Sequence, residues 1–150
     1  MTPPPSAAAA AALVLACATM AALVAVVMLR MLAVRVAEMK ALRLPTQAFA
    51  TSLQRDARLT KVQAADNYRN LFEMPVLFYA VCALLLATGQ ASAGQAVAAW
   101  LFVALRIAHS LIHCTYNNVD HRFAMYAASS FVVFGMWIAL AARWIGPTAS

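Results

Sequence analysis

Long hydrophobic stretches alternate with short polar segments along this chain of 150 residues. Four of the stretches, at about 8–29, 71–88, 95–116 and 123–145, are each long enough to cross a bilayer as a helix. Backbone polar groups must be satisfied internally in lipid, and no stretch shows the residue alternation of a barrel strand. The pattern predicts one all-α domain, an integral membrane four-helix bundle, with a polar loop at 30–60.

Composition agrees with a membrane protein. Hydrophobic residues make up 65% of the chain, and only 11% are charged, against about 25% in a soluble domain. The net charge is +6, but the basic residues gather mainly between the first and second spans, so no nucleic-acid partner is predicted. The positive-inside rule places the 30–60 loop and the 117–121 turn in the cytoplasm and both termini outside.

Three of the spans carry polar residues on one face at their cytoplasmic ends. Charged side chains are costly in lipid and usually face a bundle interior or a polar cavity. Convergence of the three faces predicts a hydrophilic pocket that opens to the cytoplasm. At 100° per residue, the aligned residues are Asp66, Arg69, Asn70 and Glu73 on the second helix, Arg106, His109, Ser110, His113 and Asn117 on the third, and Arg122, Tyr126 and Ser129 on the fourth.

Several of these residues also allow a purely structural interpretation. Glu73 and Arg106 lie at matching depths, so we expect an interhelical ion pair that fixes the packing. His109 and His113 have the i, i+4 spacing of a metal pair, but their helix offers no acidic third ligand, and no metal site is predicted.

Residues near the membrane boundary leave two interpretations open. Arg69 and Arg122 could extend to the lipid headgroups, and Tyr126 could be an interfacial aromatic residue. Around one cavity, however, arginines, an asparagine, a tyrosine and histidines suit a small anionic ligand with several hydrogen-bonding groups. The three cysteines show no C-x-x-C spacing and are interpreted as small core hydrophobes.

The segment from Asn67 to Phe78, with Arg-Asn, a glutamate three residues on, and then a proline, resembles the second-helix signature of the MAPEG family. These are the membrane-associated proteins in eicosanoid and glutathione metabolism. Arg106-Ile-Ala-His109 and the run from Asn117 to Arg122 look like that family's third-helix and turn pattern. The resemblance covers nearly the whole chain.

The resemblance implies a homotrimer that binds glutathione in a cytoplasm-facing groove between subunits and acts on lipophilic molecules from the bilayer. It implies that Arg122 stabilises the glutathione thiolate and that Arg106 pairs with the glutamate of the second helix. The positions that match glutathione-binding residues are Arg69, Asn70, Glu73, His109 and Tyr126.

Two positions depart from the family pattern. His113 stands where well-studied members carry a tyrosine, and Asp66 stands where they carry an arginine. We expect a glutathione transferase or peroxidase in which Arg122 stabilises the thiolate and His113 helps as proton donor or base. The alternative is a non-catalytic lipid-binding or scaffold protein of the same fold, which the Asp66 exchange favours. A transporter would need a continuous polar path, and the polar faces stop midway.

Overall fold

The computed structural model describes residues 7–43, 45, 47, 50, 51 and 58–145, and every regular element assigned within them is helical. Four helical segments are long and apolar enough to cross a membrane, and the second of these is made of two consecutive helices. The helices are α1, Ala7–Ala41; α2, Gln63–Asn70; α3, Met74–Ala87; α4, Ala93–Cys114; and α5, Val119–Ile145.

The first helix is longer than a bilayer requires. Its 35 residues correspond to roughly 52 Å, against a hydrocarbon core of about 30 Å. It continues twelve residues past the predicted boundary at Leu29, because residues 30–41 contain neither proline nor glycine. The first part of the predicted 30–60 loop is therefore helical, and much of the rest lies outside the described residues.

The second span is interrupted rather than continuous. The span expected at about 71–88 begins as a turn, because α2 ends at Asn70 and α3 begins only at Met74. Pro75, in the first turn of α3, explains the break, since its ring would clash with the Leu71 carbonyl in a continuous helix. Glu73 therefore lies outside both helices, at the N-terminal cap of α3.

The turn between α4 and α5 is built from polar residues that satisfy the helix ends. Asn117 adopts a left-handed conformation (φ 49°), which asparagine tolerates, and its N–H donates to the Ile112 carbonyl at 2.8 Å. The Asn118 side chain then accepts the His121 N–H at 3.0 Å, which caps the start of α5. α4 and α5 are thereby held as an antiparallel pair.

The core lies among α1, α3, α4 and α5. Phe78 and Phe102 are fully buried and stack with ring centroids 4.5 Å apart. Trp137 of α5 donates its indole N–H to the Leu77 carbonyl of α3 at 3.1 Å. Apolar side chains are also exposed along the spans, which suits helices that face lipid or another subunit. The other large side chains in the fully buried core include Leu13, Met20, Leu71, Leu85 and Met136.

Candidate functional site at the α4–α5 turn

Arg122, in the first turn of α5, is fixed by hydrogen bonds on two sides. Its Nη1 donates to the Asn117 side-chain oxygen at 2.8 Å and lies 3.1 Å from His113 Nε2. Its backbone carbonyl lies 3.0 Å from His109 Nδ1. Its other terminal nitrogen, Nη2, makes no hydrogen bond to the part of the chain that the structure describes. The half-buried guanidinium thus keeps one side for a ligand.

The partners of the two histidines define their proton positions. A carbonyl only accepts, so His109 carries its proton on Nδ1; a guanidinium only donates, so His113 accepts at Nε2 and carries its proton on Nδ1. Both rings are nearly completely buried. Because Arg122 occupies the Nε2 lone pair, His113 in this arrangement orients the arginine and offers a buried N–H donor, Nδ1, which has no protein partner among the described residues.

Tyr126 lies between two charges that we expected to pair directly. Its hydroxyl donates to Glu73 Oε2 at 3.0 Å, and its ring centroid lies 4.7 Å from the Arg106 guanidinium carbon. Arg106 is fully buried, and none of its three guanidinium nitrogens has a hydrogen-bond partner among the described residues. The predicted ion pair is therefore not formed within this chain. The break before α3 places Glu73 at the bundle surface, where Tyr126 binds it.

The remaining predicted binding residues lie on α2. Arg69 forms an exposed ion pair with Asp66, with Nη1 and Oδ1 3.3 Å apart, and Asn70 is half-buried. Such surface pairs contribute about 0–1 kcal/mol, so a ligand carboxylate could displace this one. In this chain, then, the Asp66 carboxylate lies where it would compete with an anionic ligand for Arg69.

Asn67, a fully buried residue that joins α2 to α4, was not among the site residues expected from the sequence. Its Oδ1 accepts the Ser110 hydroxyl at 3.3 Å, and its Nδ2 donates to the Cys114 sulfur at 3.4 Å. The sequence does contain a signal, because Asn67 shares one helical face with the buried residues Ala64 and Leu71. A polar residue on an apolar face requires a buried partner. Ser110, predicted to line the pocket, instead serves this contact.

Two contacts of α1 hold the site's scaffold and were also not expected. Arg30 Nη2 donates to the Cys114 carbonyl at 2.6 Å, which satisfies the C-terminal end of α4. The Glu38 carboxylate accepts the Thr60 N–H and hydroxyl, at 2.8 and 2.7 Å, and the Lys61 N–H at 3.3 Å. The long helix α1 therefore positions both the entry to α2 and the exit of α4.

Four membrane-spanning segments and a polar cluster at one end of the bundle define the class of this molecule as a multi-pass α-helical membrane protein. The model of the MAPEG family matches residues 7–142, so the chain belongs to that family. No curated protein and no solved structure gives a significant match. Membership places the chain among membrane proteins of the glutathione and eicosanoid metabolism type.

Proposed function

We propose that the protein binds glutathione at the Arg122 cluster and directs its sulfur at lipophilic electrophiles or peroxides from the bilayer. The observation that carries the proposal is the fixed Arg122 guanidinium with Nη2 left for a ligand. A thiol with a pKa near about 8.5 is mostly protonated at neutral pH, and a nearby cation favours the thiolate. Because Arg122 is already oriented, little reorganisation is needed when the thiolate forms.

Hydrogen-bonding capacity around the cluster also suits an acceptor-rich ligand. Donors predominate there, since Arg106 and His113 present buried N–H groups without protein partners among the described residues. Glutathione brings two carboxylates, two amide carbonyls and the thiolate as acceptors. Asn70 and Arg69 on α2 would bind its polar backbone, with Arg69 exchanging Asp66 for a ligand carboxylate.

The second reactant would approach from the lipid. Phe123, next to Arg122, is 68% exposed, so an apolar surface adjoins the cation at the bundle end. With an aryl halide such as chlorodinitrobenzene, the thiolate sulfur would form a bond to the ring carbon and chloride would leave. The protein would contribute proximity and thiolate stabilisation.

A neighbouring subunit would complete the site. Glu73, Phe72 and Tyr116 are exposed around the polar cluster, so this chain alone leaves one side of the site open. The homotrimer implied by the family resemblance would close it, because cyclic symmetry brings a second chain against each site. We infer from the positive-inside rule that this end faces the cytoplasm.

Substitution of Arg122 tests the proposal. Arg122→Leu should abolish the ultraviolet absorbance of bound thiolate and the conjugation of chlorodinitrobenzene, while Arg122→Lys should retain part of both. Each unit by which the substitution raises the thiol pKa corresponds to about 1.4 kcal/mol of lost thiolate stabilisation. Arg43→Gln, which removes an exposed cation outside the cluster, is the matched control. If wild-type protein in lipid nanodiscs fails to bind millimolar glutathione by calorimetry, the proposal is wrong.

A non-catalytic lipid-binding function is the second candidate. Its support is the Asp66–Arg69 ion pair, which places a carboxylate beside the expected anion-binding arginine. Binding of lipophilic ligands that persists in Arg122→Leu, together with no glutathione binding by the wild-type protein, would favour this candidate.

A further inference from the structure

A groove lies between α4 and α5 at the end of the bundle opposite the Arg122 cluster. Its volume is about 420 Å³, within the roughly 300–1,000 Å³ usual for ligand sites. Four of its lining residues are small: Gly94 and Ala98 on α4, and Gly135 and Ala139 on α5. A Cβ built at either glycine meets nothing within 4 Å, so both glycines border open space.

The groove has the length of a single bilayer leaflet. It runs along α5 from Arg143 to Phe131, twelve residues or about 18 Å, and half of the hydrocarbon core is about 15 Å. Arg143 lies at the membrane-boundary end beside the exposed Trp144, an aromatic residue typical of that boundary. Leu101 and Phe131 line the deeper part. The inside is thus apolar and the mouth carries a cation.

Arg143 is the charged side chain that lines the mouth of the groove. Arg143 donates to the Gln90 carbonyl at 3.0 Å and to the Ser92 hydroxyl at 3.4 Å, and these bonds hold it beside the N-terminus of α4. The sequence contains no acidic residue between Glu73 and Asp120 and none after Asp120. Arg143 therefore has no carboxylate side chain at this end to pair with, and a helix N-terminus adds to its attraction for an anion.

We propose that this groove binds one anionic phospholipid, with the phosphate at Arg143 and an acyl chain along the small residues of α4 and α5. The groove wall is set before binding, because the buried Gln95 donates its side-chain N–H to the Met136 carbonyl at 3.3 Å and ties the two helices together. This site is separate from the Arg122 cluster and does not depend on glutathione chemistry.

Native mass spectrometry of the full chain with phosphatidylglycerol and phosphatidylcholine, each added to delipidated protein, tests the site. The wild-type protein should retain phosphatidylglycerol more strongly than phosphatidylcholine. Arg143→Gln should weaken the retention of phosphatidylglycerol about fivefold. Gly135→Leu should fill the groove and reduce retention of both lipids, and Gly94→Leu does the same from the other wall if the first variant folds poorly. Arg43→Gln removes an exposed cation that follows the C-terminal end of α1, away from the groove, and should behave as wild type.

Equal retention of phosphatidylglycerol by the wild type and Arg143→Gln would overturn the proposal. So would an equal loss in Arg43→Gln, which would mean that net charge alone attracts the lipid. If Gly135→Leu instead changes the number of subunits while lipid retention stays constant, a second copy of the chain occupies the groove and the lipid assignment is wrong.

Discussion

Asn67 offers a sharp test of how the site is held in place, because it joins α2 to α4 through side chains alone. Replacing it with leucine, which has a similar size, removes the acceptor of the Ser110 hydroxyl and the donor to Cys114. Replacing Ser110 with alanine instead leaves the Asn67 oxygen without a donor in a fully buried position. Each single substitution therefore leaves one polar group of the Ser110–Asn67 hydrogen bond without its partner. The double substitution removes both groups, so neither is left unsatisfied.

The expected magnitudes follow from that asymmetry. Leaving a buried donor or acceptor unpaired costs about 1–3 kcal/mol, while replacing both partners by apolar groups of similar shape is nearly neutral. Asn67→Leu and Ser110→Ala should each lower the stability by about that amount, and the double variant should lose clearly less than the sum. For a chain of this length, 1 kcal/mol corresponds to about 2–4 °C in the midpoint of thermal unfolding.

Thermal midpoints measured in one detergent and at one scan rate would complete this double-mutant cycle. Ser130→Ala is the matched control, because within the described residues the Ser130 hydroxyl donates to the Tyr126 carbonyl of its own helix and to no other helix. Its removal should change the midpoint little. If the Asn67 and Ser110 effects add fully, the two side chains are not coupled, and the contact between α2 and α4 is not what holds α2 against the site.

Three further outcomes are expected. Asp66→Asn should raise glutathione affinity by up to about fivefold in calorimetry, because it removes a surface ion-pair partner of Arg69 worth at most about 1 kcal/mol; lower affinity would contradict this. Glu38→Gln should speed proteolysis near Thr60, since the charged acceptor of three hydrogen bonds is lost; an unchanged cleavage rate would count against the contact. Arg106→Met should leave the thermal midpoint unchanged or raised, whereas a loss of about 3–5 kcal/mol would mean that a carboxylate pairs with it in the assembly.

The membrane-spanning architecture was predictable because hydrophobic length is a local property. The third and fourth apolar stretches form helices within four residues of their expected limits. The interruption of the second span was missed, although its cause is also local: Pro75 removes one backbone donor and crowds the Leu71 carbonyl. A proline within an apolar run therefore indicates where such a break falls.

Helical periodicity predicted which site residues share one face of a helix, but not how the helices contact one another. Periodicity aligned His109 and His113 on one face of α4, and the structure brings both to Arg122. Contacts between distant segments were not predictable, because the register of one helix against another depends on packing. Arg30, one of the basic residues between the first two spans, donates to the carbonyl of Cys114, 84 residues further along the chain.

The separation of Glu73 from Arg106 shows why matching depth does not establish a pair. Depth in the membrane was estimated by counting residues along a continuous helix. The turn before α3 interrupts that helix, so Glu73 does not lie on the expected helical face. Tyr126 then contacts both charged groups in different ways: its hydroxyl donates to the carboxylate and its ring lies against the guanidinium. A ring contact is weaker than an ion pair, so Arg106 remains the least compensated charge in the described part of the bundle. A ligand anion or a neighbouring subunit that reached it would therefore gain more there than at Arg69, whose charge Asp66 already offsets.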